Sequence, residues 1–278
     1  MTLRIGSPRP GLLALVACAA LACVGGTARV VRAATEPPAT PDSTPAAQVP
    51  PAAAAVPRAV THPEASLLEA IAKAAGGRDA VSAWKCLVLR GKVLPLIEGP
   101  TSTVRVELDL AGSMREETRD ASGVSVHWLD GPLAWSGPGP HAKAASAEVA
   151  ADIRFRFHEL AAPFELADAV ADSLEDLGPT PEKWNRLVRR FGAERIAYDV
   201  DPATGELRRV TRLEADGRPA RAATELEDFR EIGGVRLPFR WTSIVDGRAL
   251  SEIIVERIER VDDARPEAFL PPGVRGGL

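Results

Sequence analysis

Between residues 86 and 261, apolar and polar residues alternate in short runs, and glycine-containing turn pairs separate many of those runs. Val104, Val106, Leu108 and Leu110 alternate with Arg105, Glu107 and Asp109; Val124, Val126 and Trp128 alternate with Ser125 and His127. Asp130-Gly131, Asp216-Gly217, Gly233-Gly234 and Asp246-Gly247 punctuate the series. Period-two patterning builds strands with one face turned to a core, and tight glycine turns return each strand antiparallel beside the last. Asp130-Gly131 and Asp246-Gly247 are therefore expected as tight hairpin turns with glycine at positive φ.

Two stretches break this rhythm. Leu67, Leu68, Ile71 and Ala74-Ala75 recur at helical spacing, and Gly76-Gly77 supplies a stop. From Ala144 to Leu177 the only proline is Pro163 and there is no glycine. This insert is expected as two helices, Ser146 to Leu160 and Phe164 to Leu174, broken at the proline. The expected fold is α+β: a helix, about five strands, the insert and about five more strands. The strands form a large antiparallel meandering sheet, with both helical segments packed on it.

The first 63 residues read differently. Arg4 and Arg9 precede an uncharged run from Pro10 to Ala28, and Val31-Arg32-Ala33 offers a cleavage site before Ala34. Three readings stay open: a signal peptide over residues 1–33, lipidation at Cys18 within Leu15-Val16-Ala17-Cys18, or an uncleaved anchor. Each exports the rest of the chain to the periplasm or cell envelope. Residues 34–63 carry eight prolines and no periodic apolar array, the composition of an extended tether. The folded domain is expected over residues 64–278. Without its first 33 residues, the chain would hold 30 basic against 38 acidic residues, a net charge of −8. No basic stripe appears, which sets nucleic-acid partners aside.

The residues offer no catalytic constellation. His158-Glu159 lacks the second histidine of a zinc motif, no GxSxG surrounds a serine, and no phosphate-binding glycine loop occurs. Cys86 stands alone outside the signal region, as a small apolar residue opening a strand. No cofactor and no metal are expected.

Several segments carry a family resemblance: Ala75-Gly76-Gly77-Arg78-Asp79-Ala80 into Leu87–Val93, Asp130-Gly131-Pro132-Leu133-Ala134-Trp135, Asp228-Phe229-Arg230, Gly234-Val235-Arg236-Leu237-Pro238 and Asp246-Gly247, closed by Phe269 and Pro271-Pro272. Over roughly Glu64 to Pro272 the chain resembles the periplasmic lipoprotein carriers of the LolA/LolB type and their lipoprotein-sorting relatives. The resemblance implies an incomplete β-barrel capped by helices, with a concave apolar face that holds acyl chains. It also implies a non-catalytic role in binding a lipid or acylated lipoprotein, alongside membrane-associated envelope proteins. The long tether departs from a freely diffusing shuttle. Trp128, Trp135, Phe157, Phe164 and Trp241 are the expected cavity residues, with Phe157 and Phe164 on a hinged lid. Two other readings are a tethered envelope scaffold with a filled core and a secreted hydrolase with an unrecognised site.

Overall fold

The computed structural model describes residues 61–214, 217–262 and 265–271. The expected signal segment, Cys18 and all but the end of the tether lie outside them.

Helix α1 (Ala65–Ala74) buries Leu67, Leu68, Ile71 and Ala72 along one face. Gly76 ends it at φ 110°, and the Gly77 amide donates to the Ala72 carbonyl at 2.8 Å. That positive φ favours glycine, and a Cβ on Gly76 would collide with the Gly234 carbonyl. A short helix α2 (Arg78–Ser82) follows.

Six strands then run as a meander: β1 (Cys86–Pro95), β2 (Ser102–Asp109), β3 (Ser113–Asp120), β4 (Gly123–Asp130), β5 (Leu133–Gly137) and β6 (Lys143–Ala144). Helix α3 (Ala147–Ala167) comes next, with Ser146 at its N-cap accepting from the Val149 amide. Seven more strands complete the chain: β7 (Glu175–Pro179), β8 (Asn185–Phe191), β9 (Glu194–Val200), β10 (Leu207–Leu213), β11 (Pro219–Ile232), β12 (Val235–Val245) and β13 (Arg248–Val261).

All thirteen strands form one antiparallel sheet in the order β6-β5-β4-β3-β2-β1-β13-β12-β11-β10-β9-β8-β7. The first strand pairs with the last, Cys86 opposite Val261. The two free edges, β6 and β7, are therefore the strands that α3 connects. From one side of the concave face to the other, α3 reaches β3 through Arg156 and Glu116, and β10 through Asp152 and Arg212. The result is an incomplete barrel wrapped around a helix.

The two anticipated turns are present, one of them shifted by a residue. Asp246 and Gly247 have φ of 51° and 72°, between paired Val245 and Arg248. Gly131 has φ 55°, but Asp130 pairs with Leu133, so Gly131-Pro132 form the turn.

Three expectations need correction. The insert is not broken at Pro163: one helix of 21 residues runs through it. Pro163 supplies no amide to the helix, a cost that burial of Phe157, Leu160, Phe164 and Leu166 offsets. After the helix, residues 171–173 make a 3-10 turn instead of continuing as helix. The strands number six and seven, not about five on each side of the insert. The tether's expected last residues also make contacts. The Thr61 carbonyl accepts from the Asp176 amide of edge strand β7 at 2.7 Å, and His62 Nδ1 donates to the Leu174 carbonyl at 2.9 Å.

Candidate functional site: a cleft at the end of helix α3

Strand register decides which candidate side chains share a face. Residues directly opposite each other across an antiparallel pair point the same way. Glu116 reaches α3, so its partner His127 also faces the concavity. Trp128 lies one residue on, opposite Arg115, and pairs with Trp135. Both tryptophans therefore lie on the convex face, and the structure does not bring them to the concave side. Trp128 is nevertheless buried, and the C-terminal 3-10 turn Pro266–Phe269 packs beside β3 and β4.

Trp241 is concave, opposite Leu226 and Ile253. Its indole N–H donates to the Pro238 carbonyl at 3.0 Å, and the Arg156 guanidinium sits 5.2 Å from its ring centroid. Phe157 and Phe164 are buried on α3. Of the five candidates, these three share the concave side, and Phe157 and Phe164 border an open cleft.

That cleft has a volume of about 490 Å³, within the range of small-molecule sites. Trp84, Phe157, Phe164 and Phe191 form its aromatic wall, and the Trp84 and Phe164 rings lie 5.7 Å apart. Lys85, His158, Glu165, Asp168 and Arg189 supply its polar groups. The cleft opens between α2, the β2–β3 turn, the end of α3 and β8.

A compact network holds the polar wall. His158 stacks on Phe191 with centroids 3.7 Å apart and donates from Nδ1 to Glu165 Oε1 at 2.8 Å. Tyr198 donates its hydroxyl to Glu165 Oε2 at 2.6 Å. Burial, then the neighbouring Glu165 carboxylate, pushes the Tyr198 phenol well above its ordinary value, so it stays a donor. Arg189 donates from Nη1 to the Glu165 main-chain carbonyl at 3.2 Å, in the last turn of α3.

A second polar cluster lies deeper, under the middle of α3. Arg156 Nε donates to Glu116 at 2.8 Å, Arg156 Nη1 to Glu159 at 3.3 Å, and the Thr224 hydroxyl donates to Glu159. Burial holds the Glu159 carboxyl above its ordinary value despite Arg156 and Thr224. Burial also works to raise Glu116, but the charges of Arg156 and His127 and the Arg156 hydrogen bond bring it below. This cluster occupies concave volume that an empty barrel would offer to a ligand.

No sequence motif pointed to Trp84, Arg189 or Phe191. Strand β8 reads Asn185-Arg186-Leu187-Val188-Arg189-Arg190-Phe191, where arginines on both faces hide the period of two. Among the described residues, no three or more His, Cys, Asp and Glu side chains gather to hold a metal ion. No described helix is long and apolar enough to cross a membrane.

With this geometry in hand, the fold finds counterparts among solved structures. One is the crystal structure of a LolA superfamily protein from Nitrosomonas europaea, with TM-score 0.47 and 11% identity, covering 74% of this chain and 96% of that one. The chain is similar in fold to that protein. Another is a domain described as outer membrane lipoprotein-sorting from Vibrio parahaemolyticus, with TM-score 0.46 and 9% identity over 73% and 95% of the two chains. A DUF1329 family protein from Desulfovibrio piger gives TM-score 0.46 and 10% identity over 76% and 98%. No protein-family model and no curated protein matches the sequence.

Proposed function

We propose that this chain binds the acyl part of a lipid or acylated lipoprotein, without turning it over, after export to the cell envelope. The observation that carries the reading is the open cleft walled by Trp84, Phe157, Phe164 and Phe191. An apolar wall suits a flexible chain, and each methylene withdrawn from water contributes about 0.8 kcal/mol. Entry needs little rearrangement, because the cleft already opens to solvent beside α3. Export rests on the expected signal at residues 1–33, and the tether over residues 34–63 would hold the domain near a membrane or envelope partners.

A second reading is favoured by the Glu116–Arg156–Glu159 cluster, which fills the concavity under α3. On that reading the domain is a tethered scaffold with a packed interior. Titration of delipidated protein with a fluorescent fatty acid separates the two. Saturable binding that weakens at least tenfold in Phe157→Asp, in a variant that still unfolds cooperatively, supports acyl binding. No saturable binding leaves the scaffold.

A further inference from the structure

We propose that the cleft selects amphiphiles with an anionic head, a carboxylate or a phosphate, over neutral ones, with Arg189 and Lys85 meeting the head. The proposal rests on the acyl-binding reading above and adds the class of ligand.

Arg154, Arg156 and Arg212 tie α3 to the sheet, and they meet carboxylates of Glu194, Glu116 and Asp152 at 2.6, 2.8 and 2.8 Å. Arg189, at the end of the same helix, has no carboxylate oxygen within 4 Å among the described residues. It spends one N–H on the Glu165 carbonyl, and a guanidinium carries five in a fork that matches carboxylate and phosphate oxygens. Its Cζ lies 5.2 Å from the Phe191 ring centroid, which places the charge beside the aromatic wall. Lys85, exposed in the same cleft, also meets no carboxylate within 4 Å among the described residues. Lys92, by contrast, pairs with Glu256 at 2.9 Å.

The acids in the cleft are differently disposed. Glu165 accepts at both oxygens, from His158 and from Tyr198, which holds it away from the cations' free donors, although its charge still opposes an anionic head. Asp168 is exposed at the rim. Its charge opposes an anionic head and sets an upper bound on the preference. Two cations with open donors beside an apolar wall thus match a head and a chain in one ligand.

The test uses delipidated full-length protein. One arm compares a fluorescent fatty acid with its methyl ester; the other compares lysophosphatidate with monoacylglycerol as competitors. The free acid, the phosphate or both should bind at least tenfold more tightly than the neutral counterpart, and the arm that responds identifies the head. Arg189→Gln should bring the ratio to within twofold, through a larger loss of affinity for the charged probe than for the neutral one. Lys85→Gln, at an exposed position, should lower the ratio at least threefold and stands in if loss of the bond to α3 unfolds Arg189→Gln. Asp168→Asn should raise the ratio. Equal binding of charged and neutral probes overturns the proposal and leaves acyl binding intact. A preference that survives both cation substitutions overturns the assignment to Arg189 and Lys85. No binding of any probe overturns both readings.

Discussion

The two ends of α3 are held by different physics. Over its first half, Asp152, Arg154 and Arg156 grip β10, β9 and β3 through charged hydrogen bonds of 2.6 to 2.8 Å. Near its end, Leu160, Phe164 and Leu166 are buried in the apolar core, in the half of the helix that packs beside α1 and α2. Charged hydrogen bonds are directional, so the first end fixes how the helix is rotated and placed across the concavity. Apolar packing is non-directional, so the second end can border an open cleft. The comparison separates what locks the helix from what leaves an open cleft beside it.

Breaking the lock should cost most. Arg156→Met leaves Glu116 and Glu159 facing each other in a buried site, and about 3–5 kcal/mol of stability should be lost in urea denaturation. Adding Glu116→Gln and Glu159→Gln should restore much of it; a single variant as stable as the parent would show that the cluster is not the lock. At the apolar end, Phe164→Ala should cost about 3 kcal/mol by leaving a cavity. It should also widen the cleft, so a change in stability without a change in fatty-acid affinity would separate the helix end from the ligand surface.

The charged end should also respond to pH, in two opposite ways. The folded-state pKa of Glu159 is raised by burial, so its contribution is lost as pH rises from the ordinary glutamate value through the folded one. That of Glu116 is lowered, so its contribution is lost as pH falls from the ordinary value through the folded one. Urea midpoints across mildly acidic to neutral pH should therefore decline in the parent relative to Glu159→Gln. Parallel profiles would remove Glu159 as the source. The smallest effect belongs to Arg154, whose side chain is about one-third exposed: Arg154→Ala should cost less than about 1 kcal/mol, and added salt should shrink that further.

Much of the fold was legible in the chain because the strand and turn signals are local. The alternation in β2 and β4, the helical spacing of Leu67, Leu68 and Ile71, and the glycine turns each depend on a few neighbouring residues. Strands β3 and β8 were not legible. Ser113-Met114-Arg115-Glu116-Glu117-Thr118-Arg119-Asp120 and the arginine-rich β8 place charges on both faces, because their concave residues Glu116 and Arg189 meet α3 instead of a purely apolar core. The same two residues belong to the candidate site and to the cluster behind it. Candidate site and pattern failure coincide there for one reason: a polar side chain facing inward erases the period that announces a strand.

By itself, the sequence determined the antiparallel meander, the helix before it, the helical insert within it and the turns that join its strands. It also carried the resemblance that anticipated an incomplete barrel. The tertiary structure decided the rest. Pairing of β1 with β13 left β6 and β7 as the edges that α3 must connect. Register put Trp128 and Trp135 outside and Trp241 inside. Burial carried the helix straight through Pro163. A turn or a helical stripe is settled by residues close in the chain, whereas a face, an edge or a cleft exists only once distant segments meet, and no local pattern encodes which ones will.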